Sequence, residues 1–236
     1  MLGRRSRKSR MVAVFDGELP IYECIVVDVN TQRDFLTADG LLRVLDRQIV
    51  LERIKKLTDW AKRYRLPVVS LVDAHRPGGD NVRLPLFHCI EGTAGQQKLP
   101  FTLLPKRFVI DHDSSPSLPD NLLEKYRQVI IQKRTNDVFT NPRADRFFTW
   151  LQTKRLVIFG IGAERAVKAL VLGLLSRAKS PIVVRDACGS WDEEAGELAL
   201  RQMEAKGAVM IDTDEILTLA PEDLPVPRVE IKTGSD

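Results

Sequence analysis

Six short runs rich in β-branched residues, separated by longer stretches with helical spacing of apolar residues, constrain this chain more than any other feature. Tyr22 to Val29, Leu66 to Val72, Val129 to Lys133, Arg155 to Gly160, Ile182 to Asp186 and Ala208 to Ile211 read as strands. Near-continuous apolar runs of this kind suit strands buried on both faces of a parallel sheet, because a sheet with one wet face alternates apolar and polar residues instead. Between them, Val44 to Arg65 spaces Leu45, Ile49, Leu51, Ile54, Leu57 and Trp60 at a helical period among charged residues. Ala144 to Gln152, Ala163 to Arg177 and Asp192 to Lys206 read as further helices. Strand and helix in turn predict an α/β fold of three layers, α/β/α, with an open, mostly parallel sheet of the Rossmann-like kind. Arg76 to Pro119 breaks the pattern with Pro, Gly and polar residues and reads as a long functional excursion.

The 236 residues, 44% hydrophobic and 29% charged, suffice for one large core, so one domain is expected. Arg4, Arg5, Arg7, Lys8 and Arg10 supply five positive charges; without them the net charge of +4 becomes −1. The basicity therefore belongs to an N-terminal tail, a candidate contact for an acidic partner, and not to the folded body. No apolar stretch follows those charges as in a secretory signal, and no run reaches the roughly 18 apolar residues of a membrane span. Cys24, Cys89 and Cys188, odd in number and without a CxxC pair, read as reduced thiols of a cytoplasmic protein.

In open parallel sheets ligands bind at the C-terminal edge of the strands. Asp28, Asp73 and Lys133 stand at that edge, as does the turn Gly160-Ile161-Gly162. Two of the three histidines fall just past Asp73, in Asp73-Ala74-His75 and in the run from His88 to Gly95. An aspartate and two imidazoles that converge make a ligand set for a divalent cation, zinc first, with manganese or iron as alternatives.

Taken together, Val27-Asp28 with Gln32-Arg33-Asp34-Phe35, Asp73-Ala74-His75, His88 to Gly95 and Ile131-Gln132-Lys133 resemble the isochorismatase-like cysteine hydrolases, with nicotinamidase the nearest kind. Val157 to Val167 ahead of Val184 to Cys188 is similar to the nucleophile turn of that family and the strand after it. The resemblance spans about residues 22 to 215 and implies a hydrolase domain over 21–219, between a basic tail (1–20) and a Pro-rich tail (220–236). It implies a lineage that hydrolyses C–N bonds of small, heteroaromatic amides, and a homo-oligomer. A triad follows by the same resemblance: Asp28 as base, Lys133 as the cation that favours a thiolate, and the nucleophile at position 166. Backbone N–H groups of Ile161, Gly162 and Ala166 would form the oxyanion hole, after a cis peptide at Ile161–Gly162.

The chain departs from that pattern at the nucleophile, where it carries Ala166, a residue with neither a lone pair nor an ionisable proton. Val29, Asn30 and Thr31 also put two more residues between Asp28 and Gln32 than the commonest spacing, which leaves Asp28 and Asp34 as rivals for the pocket, with position favouring Asp28. Three readings follow: a silenced relative that binds a metal and a ligand, an amidase whose cysteine was replaced by alanine, and an enzyme that uses metal-activated water with Asp28 as base.

Overall fold

The computed structural model describes residues 20–77, 87–112, 117–119 and 121–226. Its strands are β1 (Ile21–Tyr22), β2 (Ile25–Val29), β3 (Val68–Asp73), β4 (Arg107–Ile110), β5 (Gln128–Lys133), β6 (Gln152–Thr153), β7 (Leu156–Ile161), β8 (Pro181–Gly189) and β9 (Val209–Ile211). The helices are α1 (Arg33–Leu36), α2 (Arg47–Arg63), α3 (Leu122–Lys125), α4 (Pro142–Trp150), α5 (Lys168–Leu175), α6 (Glu193–Ala205) and α7 (Thr213–Ile216). Seven strands form the central sheet in the order β4-β5-β3-β2-β7-β8-β9, each neighbouring pair parallel. The two short strands β1 and β6 pair apart from it.

The pleat divides the strand residues between two cores. Val27, Val29, Val69, Leu71 and Ile158 pack on one face with Phe148 of α4 and Leu170 and Leu174 of α5. Val26, Val157 and Phe159 pack on the other with Ile54, Leu57 and Trp60 of α2. Both faces of the sheet are therefore apolar, which is why the strands read as continuous apolar runs.

The strand order also fixes where a crevice opens. From β2 the chain builds outward through β3 to β5 and β4, then returns to the other side of β2 and builds β7, β8 and β9. The connections that leave β2 and β7 depart to opposite sides and part above the strand ends, the switch point at which such sheets hold ligands. Gly160 lets β7 press against β2 there: its φ is +134°, and a Cβ would overlap the Val29 carbonyl.

Several boundaries differ from the sequence expectation. The excursion after Arg76 contains β4, which extends the sheet beyond β5; its Arg-Phe-Val-Ile run is short and half exposed, too weak a pattern to announce a strand. The helix expected from Ala163 starts with a π-helical turn, Ala163–Val167, before α5. The segment from Ala220 does not leave the body at once, since Leu224 is buried and the Arg155 guanidinium donates to the carbonyls of Leu224 (2.7 Å) and Glu222 (2.8 Å). The basic residues of the N-terminal tail lie outside the described residues. Among the described residues no helix is long and apolar enough to cross a membrane.

Phe148 is wholly buried beneath the β2–β3 face. Phe148→Ala is expected to lower the unfolding free energy by about 3–5 kcal/mol, read as a drop in urea midpoint at constant slope.

Candidate metal centre and ligand cavity

A cavity of about 220 Å³ lies at the switch point, walled by Asn30 after β2, Asp73 and His75 at the end of β3, His88, Arg134 after β5, Arg165 and Ala166 in the π-helical turn, and Trp191 after β8. Trp191 is fixed there by two hydrogen bonds, its backbone N–H to Glu164 Oε1 (3.0 Å) and its indole Nε1 to the Leu42 carbonyl (3.0 Å).

Main-chain pairing brings the three expected metal ligands together. His75 N–H donates to the Cys89 carbonyl (3.0 Å) and Glu91 N–H to the His75 carbonyl (2.8 Å), so the loop that carries His88 runs beside the extension of β3. Asp34 secures that loop from below by accepting the Cys89 N–H (2.6 Å), and Gly95 packs so close to the Asp34 carboxylate that a Cβ would overlap it. Asp34 thus braces the loop and leaves the cavity to other groups. The His75 and His88 rings lie 4.9 Å apart, and donor atoms of Asp73, His75 and His88 lie within 4.8 Å of one another. Donors about 2.0–2.2 Å from a tetrahedral zinc sit about 3.3–3.5 Å apart, so a contraction of about 1 Å would close this set on an ion. Burial lowers the His75 pKa, with the neighbouring His88 and Lys133 in the same direction, against the opposing pull of Asp73. The neutral imidazole that results is the ligand form, and the donor set fits a divalent cation.

Asp73 carries several contacts at once. It lies level with Lys133 across the β3–β5 pairing, and the Lys133 ammonium, fully buried, is ion-paired to Oδ1. Asn30 Nδ2 donates to Oδ2 (3.0 Å), and His88 Nε2 lies 4.0 Å from the same oxygen. The Gln32 side chain clamps the Asp73 main chain on both sides, accepting its N–H (2.7 Å) and donating to its carbonyl (2.8 Å).

Asp28 does not join this cavity, which corrects the sequence expectation. It pairs in register with Ser70, three residues short of Asp73 and so about 10 Å lower along the sheet. Its carboxylate accepts from Thr31 (2.7 Å) and Ser70 (2.5 Å) and forms a buried ion pair with Lys98, against α2. The residue beside Asp73 and Ala166 is Asn30, turned there by a left-handed backbone (φ +54°) as the chain leaves β2. Counting the Asp-x-Gln-x-Asp-Phe spacing back from Gln32 without the insertion reaches Asn30, a signal that the strand-end argument for Asp28 overrode.

The oxyanion turn is corrected too. Gly162 N–H donates to the Gly189 carbonyl (2.8 Å) and Ile161 is paired into the sheet beside Gly189, so of the three expected donors only Ala166 lines the cavity. The peptide bonds of the described residues are trans, Ile161–Gly162 included. No thiol stands in for the missing nucleophile: burial pushes Cys24 and Cys188 up to about 12 and raises Cys89 as well. Lys98, Arg134 and Trp191 went unmarked in the sequence, since each comes singly from a polar loop or turn, and Arg165 stood out only as a charge in the nucleophile turn.

The isochorismatase domain model matches residues 24–215. The chain belongs to the isochorismatase family. Solved structures share the fold. An isochorismatase-like hydrolase from Alkaliphilus metalliredigens is 20% identical, with 83% of this chain and 98% of that one covered and a TM-score of 0.66. For a pyrazinamidase of Pyrococcus horikoshii in complex with zinc the values are 21%, 80%, 99% and 0.60. For a nicotinamidase/pyrazinamidase from Bacillus subtilis they are 18%, 80%, 100% and 0.65. No curated protein matches the chain in sequence.

Two outcomes test the assignment of charges. Lys98→Met strands the buried Asp28 carboxylate and is expected to cost about 3–5 kcal/mol of stability, with part recovered in the double variant with Asp28→Asn, by urea denaturation. Because His75 is held below its ordinary value of 6.5 in the fold, the unfolded chain takes up the proton first. The stability due to neutral His75 is full above that value and is lost as pH falls below it. Metal-free protein unfolded in urea from pH 7.5 to 5.5 is expected to show that loss, with a shallower slope in His75→Gln.

Proposed function

We propose that this protein is a non-hydrolytic member of the family that holds a divalent metal and a small ligand in the cavity at the switch point. The observation that carries the reading is the pairing of Asn30 with Ala166 around one cavity. A cysteine hydrolase needs a nucleophile and a group to take its proton. Alanine supplies no nucleophile, and a carboxamide in place of a carboxylate can accept a hydrogen bond but not a proton at neutral pH. Lys133, which would favour a thiolate, already has its charge matched by Asp73.

Asp73, His75 and His88 would hold the metal, zinc above manganese or iron by their mixture of imidazole and carboxylate. Bound there, the cation would offer a Lewis-acidic position to a ligand donor atom. Asp73 would give it Oδ2 while Lys133 keeps Oδ1, and Gln32 would hold the carboxylate's main chain in place. The similarity to a zinc-complexed pyrazinamidase supports this choice of metal.

An amidase merely blocked by a Cys-to-Ala replacement would account for Ala166 and leave Asn30 unexplained. The reading with metal-activated water needs a base in the cavity, and Asp28 is committed to Lys98 below it.

Ammonia release from nicotinamide tests the proposal. The protein as it stands is expected to show none above buffer. Ala166→Cys combined with Asn30→Asp is expected to gain activity, exceeding Ala166→Cys alone by about 10²–10⁴-fold, the usual contribution of a general base. Turnover by the unaltered chain would overturn the reading. Metal analysis supplies the second test: about one zinc per chain is expected, lost in His75→Ala and in His88→Ala. Metal content well below stoichiometry and unchanged in His75→Ala would reject the metal centre.

A further inference from the structure

We infer that the cavity selects a small anionic ligand, one that carries a carboxylate or phosphate group, over the neutral amide of the same shape. The inference rests on the ligand-binding reading above and adds the ligand's charge. Among the ionised side chains on the wall, Asp73 is the acid, and its charge is matched from behind by buried Lys133. Arg134 and Arg165 are left over. Glu91 approaches Arg134 only to 3.9 Å with both side chains partly exposed, and the Arg134 Nε is buried without a hydrogen-bond partner. Arg165 lies 4.9 Å from the Trp191 ring, and no carboxylate of the described residues pairs with it.

Two guanidinium groups at the wall of a cleft, with a divalent cation beside them when the centre is filled, raise the potential inside it. Low-dielectric walls concentrate that potential on the ligand. A carboxamide offers a dipole to this field, whereas a carboxylate or phosphate offers a full charge and paired oxygens that match the planar fork of arginine. Asn30 Oδ1, also buried and without a partner, accepts an N–H, an O–H or a water and does not discriminate by charge.

Calorimetric titration of the full-length protein, as purified and zinc-loaded, with nicotinate and nicotinamide compares a carboxylate and a carboxamide on one ring. Nicotinate is expected to bind at least about tenfold tighter, with the advantage shrinking at high salt and lost in Arg165→Gln and Arg134→Gln. Inorganic phosphate, titrated in parallel, tells the two anion types apart: tighter phosphate assigns a phosphorylated ligand, and tighter nicotinate a carboxylic acid. Nicotinamide bound as tightly as nicotinate, or no binding of either anion, overturns the inference, and this comparison within the unaltered protein does not depend on the variants folding. Ammonia measured in the same titrations separates the two proposals. Hydrolysis would sink the non-hydrolytic reading and leave the anion preference intact, and equal binding without hydrolysis would do the reverse.

Discussion

The buried ion pair between Asp73 and Lys133 anchors the polar side of the cavity, where Asn30 and His88 gather on the same carboxylate. A fully buried ammonium is tolerable only with a counter-charge at hydrogen-bonding distance, and removing one partner of such a pair is strongly destabilising. The parallel register that places Asp73 level with Lys133 meets that demand at the strand ends, and the Gln32 clamp fixes the main chain that carries the carboxylate. Once Asp73 is fixed, Asn30 docks on its second oxygen, His88 reaches toward it over the loop paired to His75, and the distances among the metal donors follow.

A second buried pair, Asp28 with Lys98, repeats this solution about three residues lower in the sheet. It ties the start of the fold to the far end of the loop that carries His88, which is also bridged to Gln32 through Lys98. The two pairs serve different ends. Asp73 borders a cavity with Lys133 buried behind it, whereas Asp28 and Lys98 are both closed in by Thr31, Ser70, Gln128 and Thr102. An aspartate at the end of an apolar run carries no mark of which role it has, because both demand the same burial.

That ambiguity explains which parts of the molecule were legible in the sequence. The sheet was legible because strands buried on both faces leave continuous apolar runs, and the cluster of Asp73, His75 and His88 because aspartate and histidine next to a strand end are few and chemically distinctive. β4 was hidden by its short, half-exposed run at the sheet edge. Asn30 was hidden by a local backbone event: its left-handed conformation ends β2 and swings the side chain into the cavity, so the residue that matters lies past the strand end and not at it. Lys98 lies in a polar loop seventy residues from Asp28, and nothing local ties the two together. Arg134, Arg165 and Trp191 arrive from three separate connections, and only their convergence gives them meaning.

The same convergence links the proposed loss of chemistry to the character of what remains. Relative to the triad that the resemblance implies, an asparagine in place of an aspartate removes one negative charge from the cavity, and an alanine in place of a cysteine removes a group able to carry another. Neither change disturbs Asp73, which keeps its ammonium partner, so the shift is not absorbed by rearrangement of the buried pair. Arg134 and Arg165 then share a cavity wall whose acid, Asp73, is already matched by Lys133. On the proposed reading, the two differences that close the route to an acyl intermediate also raise the cavity's potential. On that reading, the same charge accounting makes the cavity a better receptor for an anion than for a neutral amide.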